Sequence, residues 1–258
     1  MIAKTKEQRE GLIEAGRRFG IILQKVAEEV RPGVTTRELD ELSEKLIREG
    51  GDIPSFKGYR PEGARKAFPA ACCISVNDEV VHGIPSDRVL KEGDIITLDL
   101  GLTHDGYIMD SAVTVPVGKV SKEAQELLNV TQQALEDAIK AARVGGRIGD
   151  ISHATEMGFK GSSFSVVKLL GGHGVGAEVH EDPFIANAGH PGTGPEIVAG
   201  MVLALEPIAN VGKAGVFIAP DGFTYRTKDG SLSAHFEHTI LVEENETIVL
   251  TRRPQEKI

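Results

Sequence analysis

Asp99, Asp110, His173, Glu206 and Glu237 are the residues of this chain whose types and settings point to chemistry. Each lies in or beside an apolar, strand-like run: DIITLDLG (94–101), GYIMDSAVTV (106–115), VVKLLGGHGVG (166–176), MVLALEP (201–207) and HFEHTILV (235–242). A carboxylate set among such residues is costly to bury unless it is paired or metal-bound. Four carboxylates and one imidazole cannot neutralise one another, but they can hold two divalent cations. Oxygen-rich ligands with a single histidine suit Mn²⁺, Fe²⁺, Co²⁺ or Zn²⁺, and they exclude all-thiolate and all-histidine centres. Two ions bridged by carboxylates can lower the pKa of a shared water and clamp a tetrahedral intermediate, which makes the chain readable as an enzyme.

Each candidate also has a plainer reading. Asp99 and Asp110 sit on two runs joined by a turn at His104-Asp105-Gly106, so antiparallel strands could bring both carboxylates to one face. Alone, they read equally well as strand-end aspartates. His173 and His180 share the segment GGHGVGAEVHEDP (171–183), where glycines let backbone and ligands approach closely. That segment lacks the G-x-G-x-x-G spacing of a dinucleotide loop, so a nucleotide site is discounted. Glu206 follows a nearly continuous apolar stretch and precedes Pro207, which fixes the local chain. Glu237 is flanked by His235 and His238. These two histidines, with His104, His153 and His190, are read as structural or exposed.

The elements that must position these residues come in a repeated order. Apolar residues recur at helical spacing over about 5–30, Arg31-Pro32-Gly33 breaks that helix, and Thr35 with Glu38 forms a capping-box pattern for a second one that ends at Gly50-Gly51. Strand-like runs follow from about 70 to 117. The order then restarts, with a helix over about 121–143, a break at Val144-Gly145-Gly146, a helix near 148–158 and strands from 164 onward. At an offset of 112, Arg31 meets Arg143, Gly33 meets Gly145 and Leu39 meets Ile151. Two like halves would place a site at their shared centre. Asp99 and Asp110 would come from the first half, and His173, Glu206 and Glu237 from the second.

Composition bounds the rest. The chain has 258 residues, enough for one sizeable core, and is read as a single catalytic domain over 1–258. A net charge of −9 argues against a broad nucleic-acid-binding surface. The N-terminal MIAKTKEQRE has no apolar stretch behind its basic residues, and no run is long enough to span a membrane. The only cysteines, Cys72 and Cys73, are adjacent, which indicates a reducing, cytoplasmic setting.

At these residues the chain closely resembles the type I methionine aminopeptidases. The match runs through SVNDEVVHGIP (75–85), KEGDIITLDLG (91–101), Asp110-Ser111, GGHGVGAEVHEDP (171–183), LEP (205–207) and TKDGSLSAHFEHTI (227–240). The resemblance implies the α/β (α+β) pita-bread fold, with two pseudo-symmetric helix–helix–strand halves around a central antiparallel sheet. It implies two divalent metal ions (Co, Mn, Fe or Zn), with Asp99 on the second ion, Asp110 and Glu237 bridging, and His173 and Glu206 completing the first. Glu206 would also carry a proton from water toward the leaving amine. His180 would hydrogen-bond the scissile carbonyl, and His82 would contact the next amide. Tyr59, Cys73 and Phe223 match positions lining the methionine pocket, whose apolar walls suit a thioether. The implied activity is removal of N-terminal methionine when the second residue is small. The implied partners are nascent polypeptide N-termini and the ribosome, with no membrane; a monomer is expected.

The chain departs from the family at Val179, where an aromatic residue is common, and at Phe56, where some members carry cysteine; a repacked pocket is expected. The link RPEGARKA (60–67) is longer than usual, and its basic residues Arg60, Arg65 and Lys66 could form a rim that contacts ribosomal RNA. His180 and Glu206 lie too close in sequence for the large insertion of type II enzymes, and no cysteine- and histidine-rich extension is present, so a compact bacterial-type form is expected. The alternatives are a proline-directed (Xaa-Pro) aminopeptidase of the same fold, whose members usually carry an extra N-terminal domain, and a non-catalytic binding module, which would be expected to have lost ligands.

Overall fold

Both halves of the chain begin alike, with an amphipathic helix, a glycine break and a second helix. The computed structural model describes residues 1–60 and 66–256. In the first half, α1 (Lys6–Glu28) and α2 (Thr36–Glu49) lead to β1 (Ile53–Pro54), β2 (Cys72–Val76), β3 (Glu79–Val81), β4 (Ile95–His104) and β5 (Tyr107–Pro116). The second half restarts with α3 (Lys122–Ala141) and α4 (Ile148–Gly158). It continues through β6 (Ser165–Val166), β7 (Gly171–Gly174), β8 (Glu181–Ala186), β9 (Val202–Leu205), β10 (Ile208–Asn210), β11 (Val216–Ile218), β12 (Tyr225–Thr227), β13 (Ser233–His235), β14 (His238–Val242) and β15 (Thr247–Val249).

Local sequence explains these boundaries. The Thr35 hydroxyl accepts a bond from the Glu38 amide, and the Glu38 carboxylate accepts one from the Thr35 amide, so two of the orphan donors at the start of α2 are satisfied. α1 buries Leu12, Phe19, Leu23 and Val26 along one stripe. The break after each long helix uses glycine in the left-handed region, Gly33 at φ +95° and Gly145 at φ +82°, where a Cβ would be strained. Both glycine amides then donate 2.9 Å bonds to carbonyls of a returning segment, Gly33 to Leu90 and Gly145 to Ile197. The correspondence at an offset of 112 is therefore one of structure, with the same turn and the same bond in each half.

All strand pairings among the described residues are antiparallel. In the first half β4 pairs with β1, β2 and β5; in the second, the order is β15-β14-β9-β7-β8. The two sheets meet where β5 runs beside the segment 235–239. There the Glu237 amide donates to the Ala112 carbonyl, Ser111 donates to the Glu237 carbonyl, and Thr239 Oγ1 donates to the Asp110 carbonyl while accepting from the Asp110 amide. α1 packs on β4 and β5, and α3 packs on α4, β10 and β13. The result is the two-halved α+β pita-bread architecture expected from the sequence, with antiparallel strands at the centre and helices flanking them.

Candidate metal centre and substrate cleft

The β4–β5 hairpin sets the first two carboxylates. Its register pairs Asp99 with Ala112 and Gly101 with Asp110, so the two aspartates stand two residue pairs apart on a tightly laddered ribbon. Residues two apart along a strand share a face. The second half brings the others. His173 lies on β7 opposite Ala204, and Glu206 follows the end of β9. Glu237 precedes β14, held to β5 by the bonds above. Gly172 is where the expected close approach occurs, since a Cβ there would stand 2.2 Å from the Ala204 carbonyl oxygen.

These five side chains face one cleft of about 590 Å³, which also takes in Tyr59, Cys73, His82, His180 and Phe223. All the candidate site residues are thus brought together. Asp110, His173 and Glu237 form a tight buried triad, with one ligand atom from each lying within 4.8 Å of the others. His173 Nε2 is 3.8 Å from Asp110 Oδ2 and 3.7 Å from Glu206 Oε1. Those separations are too long for hydrogen bonds and are what ligands sharing one cation would show. His173 Nδ1 lies 2.8 Å from the Gly174 carbonyl, an acceptor only, so Nδ1 carries the hydrogen and Nε2 turns its lone pair to the carboxylates.

The electrostatics fit a cation. Burial raises Asp99 to about 7. Burial, then repulsion from Asp99 and Glu206, holds Asp110 well above the carboxylate range. Glu206 is raised by burial and then by Asp99, and Glu237 by burial and then by Asp110, Glu206 and Asp99. Burial first, then neighbouring His180, lowers both His173 and His82 to about 4, so both imidazoles are neutral. Asp99 Oδ1, Asp110 Oδ1 and Glu237 Oε1 are buried with no hydrogen-bond partner. Several buried acids that repel one another, unpartnered oxygens and a neutral imidazole lone pair make a donor set for divalent cations.

The rest of the cleft divides by chemistry. Tyr59 Oη lies 2.9 Å from His180 Nδ1, and the His180 and His173 rings are 4.5 Å apart. His82 adopts φ +58°, an uncommon conformation for a residue with a Cβ, and its ring meets Tyr225 edge-on. Phe56, Phe68, Cys73 and Val179 form a small apolar cluster apart from the main core, with Tyr59 and Phe223 packed against it. The Phe68 and Phe223 rings stack edge-to-face at 5.5 Å. Phe56 and Val179, where the sequence departs from the family, both belong to this cluster. Burial pushes the Cys73 thiol well up, so it serves as a soft apolar surface.

The structure adds to one histidine reading. His235, expected to be structural or exposed, is buried and lines the cleft, with Nε2 3.7 Å from Glu206 Oε2 and 3.6 Å from Glu237 Oε2. The signal available in the sequence was its two-residue spacing from Glu237, which in an extended segment puts both on one face. The other four fit the expectation. His238 bonds to Thr251 and Glu256, and His104 bonds to Asp52. His153 is half-buried and His190 exposed.

A pita-bread fold closed around a buried carboxylate–histidine cleft defines a metal-dependent hydrolase. The profile described as metallopeptidase family M24 matches residues 10–244. Methionine aminopeptidase 1 of Bacillus subtilis is 44% identical over 252 residues, covering 98% of this chain and 99% of that protein. Methionine aminopeptidase 1 of Mycobacterium tuberculosis is 40% identical over 249 residues, covering 94% and 91%. The crystal structure of methionine aminopeptidase from Thermotoga maritima superposes with a TM-score of 0.92 at 42% identity, covering 98% of this chain and 100% of that one. The Xaa-Pro dipeptidase from Bacillus anthracis, at 23% identity and a TM-score of 0.75, shares the fold; this chain covers 64% of it. The chain belongs to metallopeptidase family M24 and, within it, to the type I methionine aminopeptidases.

Proposed function

We propose that this enzyme removes the N-terminal methionine from newly made chains whose second residue is small, using two divalent cations held by Asp99, Asp110, His173, Glu206 and Glu237. The observation that carries the reading is the convergence of four carboxylates and one oriented imidazole on a single buried cleft, with three carboxylate oxygens there unpartnered. When bound, the cations (Co, Mn, Fe or Zn) would supply Lewis acidity, lowering the pKa of a water and polarising the scissile carbonyl.

The chain's own groups supply the rest. Glu206 sits between two imidazoles, Oε1 toward His173 and Oε2 toward His235, and is the proton carrier from the attacking water to the leaving amine. His180, with Nδ1 engaged by Tyr59, donates from Nε2 to the carbonyl oxygen as negative charge develops there. His82 contacts the amide beyond the scissile bond. Tyr59, Cys73 and Phe223, with Phe56 and Phe68, enclose the methionine side chain. The partners are nascent polypeptide N-termini. Lys66 lines the cleft and Arg60 is exposed near it, which supports a basic rim facing ribosomal RNA; Arg65 lies outside the described residues.

The test is hydrolysis of Met-Ala-Ser by chelator-treated protein before and after adding Co²⁺ or Mn²⁺, with Ala-Pro and Xaa-Pro peptides alongside. Metal-dependent release of methionine from Met-Ala-Ser is expected. Preference for the proline peptides, or no metal dependence, would overturn the reading. Among the described residues no helix is long and apolar enough to cross a membrane.

A further inference from the structure

His235 is 2% exposed, and neither of its ring nitrogens has a hydrogen-bond partner. Its position is imposed by the backbone. The His235 amide donates to Thr114 Oγ1 at 2.9 Å, the His235 carbonyl lies 2.7 Å from the same hydroxyl, and β13 pairs His235 with Ile208 of β10. The imidazole is thereby held beside two carboxylates from different elements, 3.7 Å from Glu206 Oε2 and 3.6 Å from Glu237 Oε2.

A neutral imidazole carries one hydrogen, on Nδ1 or on Nε2. On Nδ1, the hydrogen would be a buried donor with no acceptor, and Nε2 would aim its lone pair at two carboxylates. Leaving a buried donor unpaired costs its full desolvation, roughly 1–3 kcal/mol. On Nε2, the hydrogen faces Glu206 Oε2 and Glu237 Oε2, both acceptors once the acids ionise to hold a cation, and a shift of about half an ångström closes a hydrogen bond of ordinary length. Only an acceptor lone pair on Nδ1 is then left unpaired. This is the reverse of His173, whose Nδ1–H is taken by the Gly174 carbonyl and whose Nε2 lone pair faces the carboxylates. The two histidines on either side of Glu206 are therefore held in opposite tautomers, one offering a lone pair and the other a hydrogen.

We propose that His235 is a positioning residue of the metal centre, its Nε2–H shared between Glu206 Oε2 and Glu237 Oε2 so that both carboxylates are held in their ligating rotamers. The proposal rests on the metal-dependent reading above. Glu206 Oε1 then faces His173, while Oε2, the oxygen left to move the proton, is kept toward His235. His235 itself does not ligate, because its cleft-facing nitrogen carries the hydrogen. Partners that orient ligands in this way typically change metal affinity by about 10–100-fold when removed.

The test uses the full chain with Co²⁺ as the probe, in wild type, His235→Phe and His235→Gln. Phenylalanine keeps the ring and removes the donor, whereas glutamine restores an N–H. Calorimetry and the visible absorption of the Co²⁺-loaded protein are read together. A drop in affinity of about 10-fold or more in His235→Phe with an altered spectrum, and recovery to within a few-fold in His235→Gln, is the expected result. Unchanged Co²⁺ affinity and spectrum in His235→Phe would overturn the proposal, showing the ring only to fill space. ¹⁵N NMR of the Zn²⁺-loaded wild type needs no variant: a hydrogen on Nε2 of His235 supports the proposal, and one on Nδ1 sinks it. If the wild type itself takes up no Co²⁺, the metal reading fails first.

Discussion

Replacing Tyr59 by phenylalanine tests how His180 is set for catalysis. The hydroxyl lies 2.9 Å from His180 Nδ1. For His180 to donate from Nε2 to a carbonyl, Nδ1 must be the accepting nitrogen and Tyr59 the donor. The phenyl ring should keep its place, because the Tyr59 amide and carbonyl are tied to Phe56 and Phe68 by 2.9 and 2.8 Å bonds. The change therefore removes one neutral hydrogen bond, with a net value of roughly 0.5–1.5 kcal/mol. If that energy biases the tautomer needed in the transition state, kcat should fall about 2–12-fold with little change in KM. The assay is Met-Ala-Ser hydrolysis by Tyr59→Phe, His180→Ala and the double variant. Two residues acting through one another give non-additive losses, so Tyr59→Phe should cost little further rate in the His180→Ala background. A full, undiminished loss in that background, or a change confined to KM, would show that Tyr59 acts only as a wall of the methionine pocket.

Glu206→Gln should keep the fold and lose on the order of 10²–10⁴-fold in rate, since the amide cannot carry a proton; activity within a few-fold of wild type would remove Glu206 from that role. His180→Ala should lower kcat far more than it weakens binding of free methionine, and a raised KM alone would contradict oxyanion stabilisation. The chelated protein should lose stability as pH rises. Burial lifts Asp99 from 3.8 to about 7, and burial with mutual repulsion also raises Asp110, Glu206 and Glu237, so the native state binds more protons than the unfolded chain throughout that window. Its melting temperature should fall from pH 5 to pH 8, and added Mn²⁺ should reverse the trend with release of protons, measurable by calorimetry in two buffers. Neutralising Arg60, Arg65 and Lys66 together should reduce ribosome co-sedimentation at low salt while free-peptide cleavage stays unchanged; equal co-sedimentation would exclude the rim as the docking element.

The helices were legible because their signals are local. The Thr35–Glu38 box, the Gly33 and Gly145 turns and the apolar stripe of α1 all appear where the spacing placed them. The Asp99 and Asp110 hairpin was legible for the same reason, two alternating runs about a short turn. Strand extents were less so: the run 166–176 reads as continuous, but only Ser165–Val166 and Gly171–Gly174 are strand, because β6 pairs with β10 in one sheet and β7 with β8 and β9 in another, and the chain crosses between them at 167–170. The place of His235 was less legible, because its two-residue spacing from Glu237 marks a shared face only once the segment is known to be extended. Its place in the cleft depends on β13 being paired to β10 and on its amide bond to Thr114, the latter made across more than a hundred residues.

Those long-range bonds also explain why the site needs both halves. Asp110 and Glu237 belong to different halves, yet the backbone of each is fixed by the other's neighbours: Thr239 clasps the Asp110 peptide from both sides, and Ser111 and Ala112 hold the Glu237 peptide. Each repeat alone would expose part of the carboxylate set to water, where the acids would ionise separately and repel. Closed together, the halves exclude water from one face of the cluster, raise its acids and leave oxygens without hydrogen-bond donors, which is the condition under which a divalent cation becomes the favoured partner. The repeated helix–turn–helix unit thus accounts for the packing, and the seam between the two units accounts for the chemistry.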